Sequence, residues 1–230
     1  IFFYILVIKI QKMLNKFFKI IHNKYSKLFG FIFFLRYLIS IFFISIVLFL
    51  AIPNFFNFDK KIETIKGHLS NSYKLDIYEY GQIKFNTFPL PNIEIKNVFI
   101  NLDSDTEQLN VGSLKLFPKI FSIYNFDNFQ LNKIVVEDSK ILLKASSFKT
   151  FIKKILNEKN KQSFNNLNVQ IIEKNKTVIS IENIYFSNHG YKMHLVTGSV
   201  FGKKFNAEIK NNFEKINFKL LKSGFTAEVD

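Results

Sequence analysis

Three stretches of the chain share one order of apolar and polar positions. "IEIKNVFIN" (93–101), "FQLNKIVVE" (129–137) and "ISIENIYFS" (179–187) each alternate, slip by one residue at two adjacent polar positions, then alternate again. Alternation is the mark of a strand with one apolar face. A slip would turn the second half of the strand to the other face unless an extra residue, a β-bulge, is inserted there. With bulges near Lys96-Asn97, Asn132-Lys133 and Glu182-Asn183, three apolar rows emerge: Ile93, Ile95, Val98 and Ile100; Phe129, Leu131, Ile134 and Val136; Ile179, Ile181, Ile184 and Phe186. Repeated bulges bend a sheet, so the pattern predicts a sheet curled around these rows as a groove.

The period of two continues through most of the chain beyond residue 73. It predicts strands at 74–79, 82–87, 92–102, 109–117, 128–137, 140–144, 167–174, 177–187, 191–200, 204–210 and 215–221. Glu137 and Asp138 in "VEDSK" then fall in a turn. Pro89 and Pro91 have no N–H to donate, so they precede their strand and mark an uncovered edge. Helical spacing appears in 55–73, through Phe58, Ile62, Ile65 and Leu69 with an end near Ser70-Asn71, and in 146–160, through Phe148, Phe151, Ile152 and Ile155.

"FIFFLRYLISIFFISIVLFLAI" (31–52) is apolar except for Arg36 and two serines, and it stops at Pro53. As a helix it spans roughly 33 Å, enough to cross a hydrocarbon core of about 30 Å. Arg36 lies near one end, where it can snorkel. The run is too long for a signal peptide and "FLAIPNF" has no small-x-small cleavage site. Before it, Leu14, Phe17, Phe18, Ile21 and Leu28 fall near one helical face, as in a helix lying on a membrane surface. The expected class is therefore mainly β: a single N-terminal transmembrane helix, then a curled, groove-like antiparallel β-sheet with short amphipathic helices. The divisions are a basic N-terminal segment at 1–30, the membrane helix at 31–52 and a β-rich domain at 53–230.

The charge pattern orients this plan. The net charge is +14, and seven basic residues (Lys9, Lys12, Lys16, Lys19, Lys24, Lys27 and Arg36) with no acid precede residue 54. The remaining 25 basic residues stand against all 18 acids. Lysines before the span and mixed charge after it place residues 1–30 in the cytoplasm and the bulk of the chain outside it. Nucleic acid is not an expected partner, because Arg occurs once in a chain rich in Lys, Asn, Ile and Phe. Met13 is the expected initiator, and the alternation in "GFTAEVD" runs to the last residue, as in a fragment.

Candidate chemistry is sparse. Without cysteine there is no disulfide, thiol nucleophile or thiolate metal site. His189 and His194 would point to opposite faces of a straight strand, a poor geometry for one metal. Gly112, Gly198 and Gly202 make no phosphate loop, and the serines of "SNS" and "ASS" have no plausible His and Asp partners. We expect neither enzymatic activity nor a cofactor.

The order of features carries a resemblance. A basic N-terminus, one membrane helix ending in proline, a short amphipathic helix, then "YEYGQIKFNTFPLPNIEIKNVFI" and "LNVGSLKLFPKIFSIYNFDNFQLNKIVVEDSKILLK" (109–144) resemble the start of the AsmA family of bacterial envelope proteins. The likeness covers roughly residues 30–190 and lies in order and spacing; members are usually much longer. It implies an inner-membrane anchor and a periplasmic groove that shields acyl chains, as in bridge-like lipid transfer proteins. Phospholipids and the bilayer are then the partners, in phospholipid transport or outer-membrane assembly, with the three apolar rows as lipid contacts. The alternative is a bitopic envelope scaffold or assembly factor that binds other envelope proteins, among them assembly proteins, through edge strands.

Overall fold

The computed structural model describes residues 2–102, 108–174, 176–188, 193–210 and 215–229. The chain divides into two units, Ile1–Ile52 and Pro53–Asp230. In the first, helix α1 (Phe2–Ala51) is interrupted at Tyr25, where φ −113° and ψ 15° leave the helical region. The break coincides with the polar run "HNKYSK" (22–27), so residues 13–29 are not one uninterrupted surface helix. Gly30–Phe55, 26 residues, is long and apolar enough to cross a membrane. Ser40 and Ser45 donate their hydroxyls to the carbonyls of Arg36 and Ile41 at 2.9 and 2.8 Å. Those bonds satisfy groups that hydrocarbon would leave unpaired.

The second unit begins with 3-10 turns and helix α2 (Ile62–Tyr73). Phe58, Ile62, Ile65 and Leu69 are all buried, as their spacing requires. The helix reaches Tyr73 rather than ending near Ser70-Asn71. It stops where Lys74 turns left-handed (φ 56°) and the N–H groups of Lys74 and Leu75 return to the carbonyls of Ser70 and Leu69.

Among the described residues eleven strands form one sheet, which does not close on itself. β1 (Asp76–Glu79) and β2 (Gln82–Asn86) lie along the same side of β3 (Asn92–Asn101). Beyond β3 come β4 (Gln108–Pro118), β5 (Leu131–Lys144), β6 (Gln162–Glu173), β7 (Lys176–Ser187), β8 (Met193–Val200), β9 (Lys203–Lys210), β10 (Lys215–Leu220) and β11 (Thr226–Val229), in that order. The sheet is mixed rather than antiparallel throughout, because β5 and β6 run parallel. A parallel pair needs a crossover, and helix α3 (Ala145–Asn157) lies in that connection.

Two turn and edge expectations are corrected. Strand β3 is interior, paired by β2 on one side and β4 on the other, so Pro89 and Pro91 precede a covered strand. Residues 128–137 and 140–144 belong to a single strand from Leu131, so Glu137-Asp138 is no turn. Glu137 pairs with Lys115 at 2.6 Å within the sheet.

The slips extend further than the three stretches. Asn97, Asp138, Asn166 and Asn183 all have positive φ, at 51°, 51°, 60° and 52°. Asn and Asp tolerate this region better than branched residues because their short side chains bond locally. Lys96 pairs with Ser113 and Val98 with Val111, which sets Asn97 opposite Gly112 without an extra residue on either strand. Gly112 in turn faces Asp138, and Asp138 lies beside Asn166, which donates Nδ2 to its carboxylate at 2.7 Å. A Cβ on Gly112 would sit 3.1 Å from that of Asp138, so a side chain there would have to push its neighbour aside by a few tenths of an ångström. The bulge expected at Asn97 is therefore a matched slip in neighbouring strands. At Asn132 and at Asn183-Ile184 the register does shift by one residue, as an inserted residue requires.

With the faces so aligned, Ile93, Ile95, Val98, Ile100, Ile134 and Val136 are each 0% exposed. They belong to one core with Ile65 and Leu69 of α2. Around it, Phe58 stacks on Phe85 at 5.8 Å and Phe126 on Phe129 at 5.3 Å. Burying each such side chain contributes about 1.5–3 kcal/mol.

Candidate functional site

Beyond β5 the apolar face of the sheet has a different cover. Phe164, Leu167 and Val169 on β6, Ile181, Ile184 and Phe186 on β7 and Val196 on β8 point to the side where α3 lies. Phe205, Ala207 and Ile209 on β9 and Phe218 on β10 extend the same surface. From α3, Phe148, Phe151, Ile152 and Ile155 face it, the stripe that their 3–4 spacing dictates. Between helix and strands is a cavity of about 240 Å³ whose lining residues are all apolar. An apolar cavity of roughly 150 Å³ stays dry and admits benzene, so this one has room for a hydrocarbon chain. Gly198 lets the Phe205 ring lie against β8, since a Cβ there would be 3.0 Å from the ring.

The other flank of α3 is tighter and more polar. Tyr73, Lys154, Glu158 and Gln162 border a gap of about 20 Å³, together with Phe151, Ile155 and Phe164. Burial, and secondarily the charge of Glu158, push the Tyr73 phenol up to about 12, so it stays neutral. His68 packs against Phe129 at 5.6 Å, and its burial lowers the imidazole pKa. Among the described residues no group of three or more His, Asp or Glu could hold a metal ion. His189 lies outside the described residues, and His194 packs 5.9 Å from the Phe186 ring.

The candidate lipid contacts belong to one apolar core and its margin, and three of them also border the cavity. Ile181, Ile184 and Phe186 line the cavity. Ile93, Ile95, Val98, Ile100, Ile134 and Val136 are inside the core shared with α2, Phe129 is buried beside Phe126 and His68, and Leu131 and Ile179 pack half-buried at its margin. The slip pattern did not point to α3 as the roof, or to Phe205, Ala207 and Ile209. The alternation of "KKFNAEIK" marks the latter as an apolar face, but nothing in it says what lies opposite. Comparison with known protein families, with characterised proteins and with solved structures found no match to the chain.

Proposed function

We propose that the chain is an inner-membrane-anchored envelope protein whose β-rich unit, in the periplasm, shelters an acyl chain of phospholipid beneath α3. Its role is phospholipid transport or outer-membrane homeostasis, as the AsmA-like order of its features implies. The observation that carries this reading is the wholly apolar cavity of about 240 Å³ in a chain that also has a helix able to span a membrane. An acyl chain gains about 0.8 kcal/mol for each methylene taken out of water, and a lining without polar groups adds no desolvation cost of its own. No reaction is required.

The test is photo-crosslinking in cells. A photoreactive residue at Ile181, on the cavity face, is expected to capture phospholipid, and one at Glu182, on the opposite face of the same strand, is not. A folded protein that yields no lipid adduct at Ile181 overturns the reading.

A further inference from the structure

Two loops beside the exit of the membrane helix carry bare apolar side chains. Among the described residues from Pro53 on, the most exposed large apolar side chains are Phe55 (88%), Phe121 (81%), Phe201 (77%) and Phe88 (72%). Single apolar side chains on a surface are ordinary, but a group of them marks an interaction site. Three of these four are tied to one place. Asn54 donates Nδ2 to the Thr87 hydroxyl at 2.8 Å. That bond fastens the loop "TFPLP" (87–91), with Phe88 and the exposed Leu90, beside Phe55. Phe56 meets the Tyr124 ring edge-on at 5.9 Å, and the Tyr124 N–H bonds to the Phe121 carbonyl at 3.2 Å. These contacts bring in the 3-10 turn Ile120–Ile123, where Ile120 and Phe121 are exposed. Gly30–Phe55 is the segment able to cross a membrane, so Asn54 and Phe55 stand where the chain leaves the bilayer.

Both loops are chemically suited to enter it. Pro89 and Pro91 have no N–H to leave unpaired, and the Leu90 carbonyl accepts the Asn92 side-chain amide at 2.8 Å. In the other loop the Lys119 carbonyl accepts the Ser122 N–H at 2.9 Å and the Ser122 hydroxyl at 2.8 Å. Backbone groups already occupied in this way lose no partner on leaving water. Residues 87–91 and 118–126 include Lys119 and no acid, and a lysine can keep its charge among headgroups while its stem lies on apolar surface. Phe201, by contrast, follows β8 at the opposite ends of the strands.

We propose that this end of the β-rich unit docks on the bilayer surface, with Phe55, Phe88, Leu90, Ile120 and Phe121 immersed among headgroups and upper acyl chains. The occupant is lipid because the exit point of the span is part of the patch. Surface-bound apolar side chains reach roughly 5–10 Å into that layer. The inference rests on α1 crossing the membrane and does not depend on what fills the cavity beneath α3.

The experiment uses the full, cysteine-free chain in vesicles of phosphatidylcholine and phosphatidylglycerol, with an environment-sensitive fluorophore on a single cysteine. Labels at Phe88→Cys and Phe121→Cys are expected to shift to the blue and to be quenched by phosphatidylcholine brominated high in its acyl chains. A label at Phe201→Cys should be quenched only by aqueous iodide, and one at Phe42→Cys, within the span, should be quenched by brominated lipid. Phe88→Asp combined with Phe121→Asp replaces two exposed side chains, so the melting temperature should hold while a label at Ile120→Cys loses its quenching by lipid. Quenching at Ile120 that survives the two aspartates overturns the role of Phe88 and Phe121. Labels at Phe88 and Phe121 that iodide reaches and lipid does not show a bare surface and overturn the docking. Labels shielded from both quenchers show that protein, such as a second copy, covers the patch, and they overturn it too. Loss of lipid quenching at Phe42 as well overturns the membrane anchor together with the docking.

Discussion

Glu94 is 8% exposed on β3. It nonetheless stays charged: burial opposes ionisation, but hydrogen bonds from Asn86, Lys84 and Ser113 and the charge of Lys84 outweigh it, lowering the carboxyl from 4.5 to about 2. The bonds are short, with Asn86 Nδ2 at 3.0 Å, Ser113 Oγ at 2.9 Å and Lys84 Nζ at 3.1 Å. A carboxyl whose folded pKa is depressed binds its proton more readily in the unfolded chain. Its stabilisation is therefore complete above the unfolded value and is lost as pH falls from about 4.5 towards about 2. Melting temperatures taken across that window should fall more steeply for the unaltered chain than for Glu94→Gln, which starts lower at neutral pH. Parallel curves would mean that the cluster contributes nothing on folding. The sequence places Glu94 on the polar face of its strand, but not in this cluster, because Lys84 and Ser113 reach it only through pairing of β2 and β4 with β3.

At the scale of elements, α2 and α3 have similar patterns and different surroundings. Ile65 and Leu69 of α2 are 0% exposed, whereas Phe148, Ile152 and Ile155 of α3 remain half-buried over a hollow. The sheet keeps one apolar face through left-handed residues in four strands, at Asn97, Asp138, Asn166 and Asn183. At Asn97 the backbone requirement can be separated from side-chain contact by comparing two substitutions. Asn97→Gly should be nearly neutral, and Asn97→Val should cost about 1–2 kcal/mol more, because a branched side chain resists positive φ. Urea unfolding of the two variants measures the difference, and equal stabilities would show that the conformation is not what Asn97 supplies. The slips in β3 and β7 were legible as adjacent polar residues within an alternation. Those at Asp138 and Asn166 carry the same mark, in "VEDSKI" and "FNNLNV", but a polar pair also reads as a turn or a strand end until its neighbours across the sheet are known.

For the whole molecule, a long apolar helix and a β-rich unit follow one another in the chain, with seven basic residues and no acid before residue 54. That asymmetry predicts a cytoplasmic N-terminus. The chain has no cysteine, so single cysteines report topology cleanly. Asn71→Cys, at an exposed position of α2, should react with a membrane-impermeant thiol reagent in intact spheroplasts. His22→Cys should react only after permeabilisation. The reverse labelling would invert the topology and remove the periplasmic reading.

Sequence alone determined the features that depend on a residue and its near neighbours. The apolar helix, the buried stripe of α2, the facing stripe of α3 and most strands were legible within a few residues, because periods of 3.6 and 2 record which side of an element avoids water. The tertiary structure decided what depends on partners distant in the chain. Parallel pairing of β5 with β6 made the sheet mixed, strand pairing carried β5 through Glu137-Asp138, and neighbouring strands matched the slip at Asn97. It also decided which apolar face is filled and which is hollow. Ile95 and Ile181 occupy the same position of the pattern, yet one is fully buried in the core with α2 and the other packs half-buried against that core and borders the cavity beneath α3. An isoleucine avoids water equally in either place, so its pattern records that it is covered and not by what.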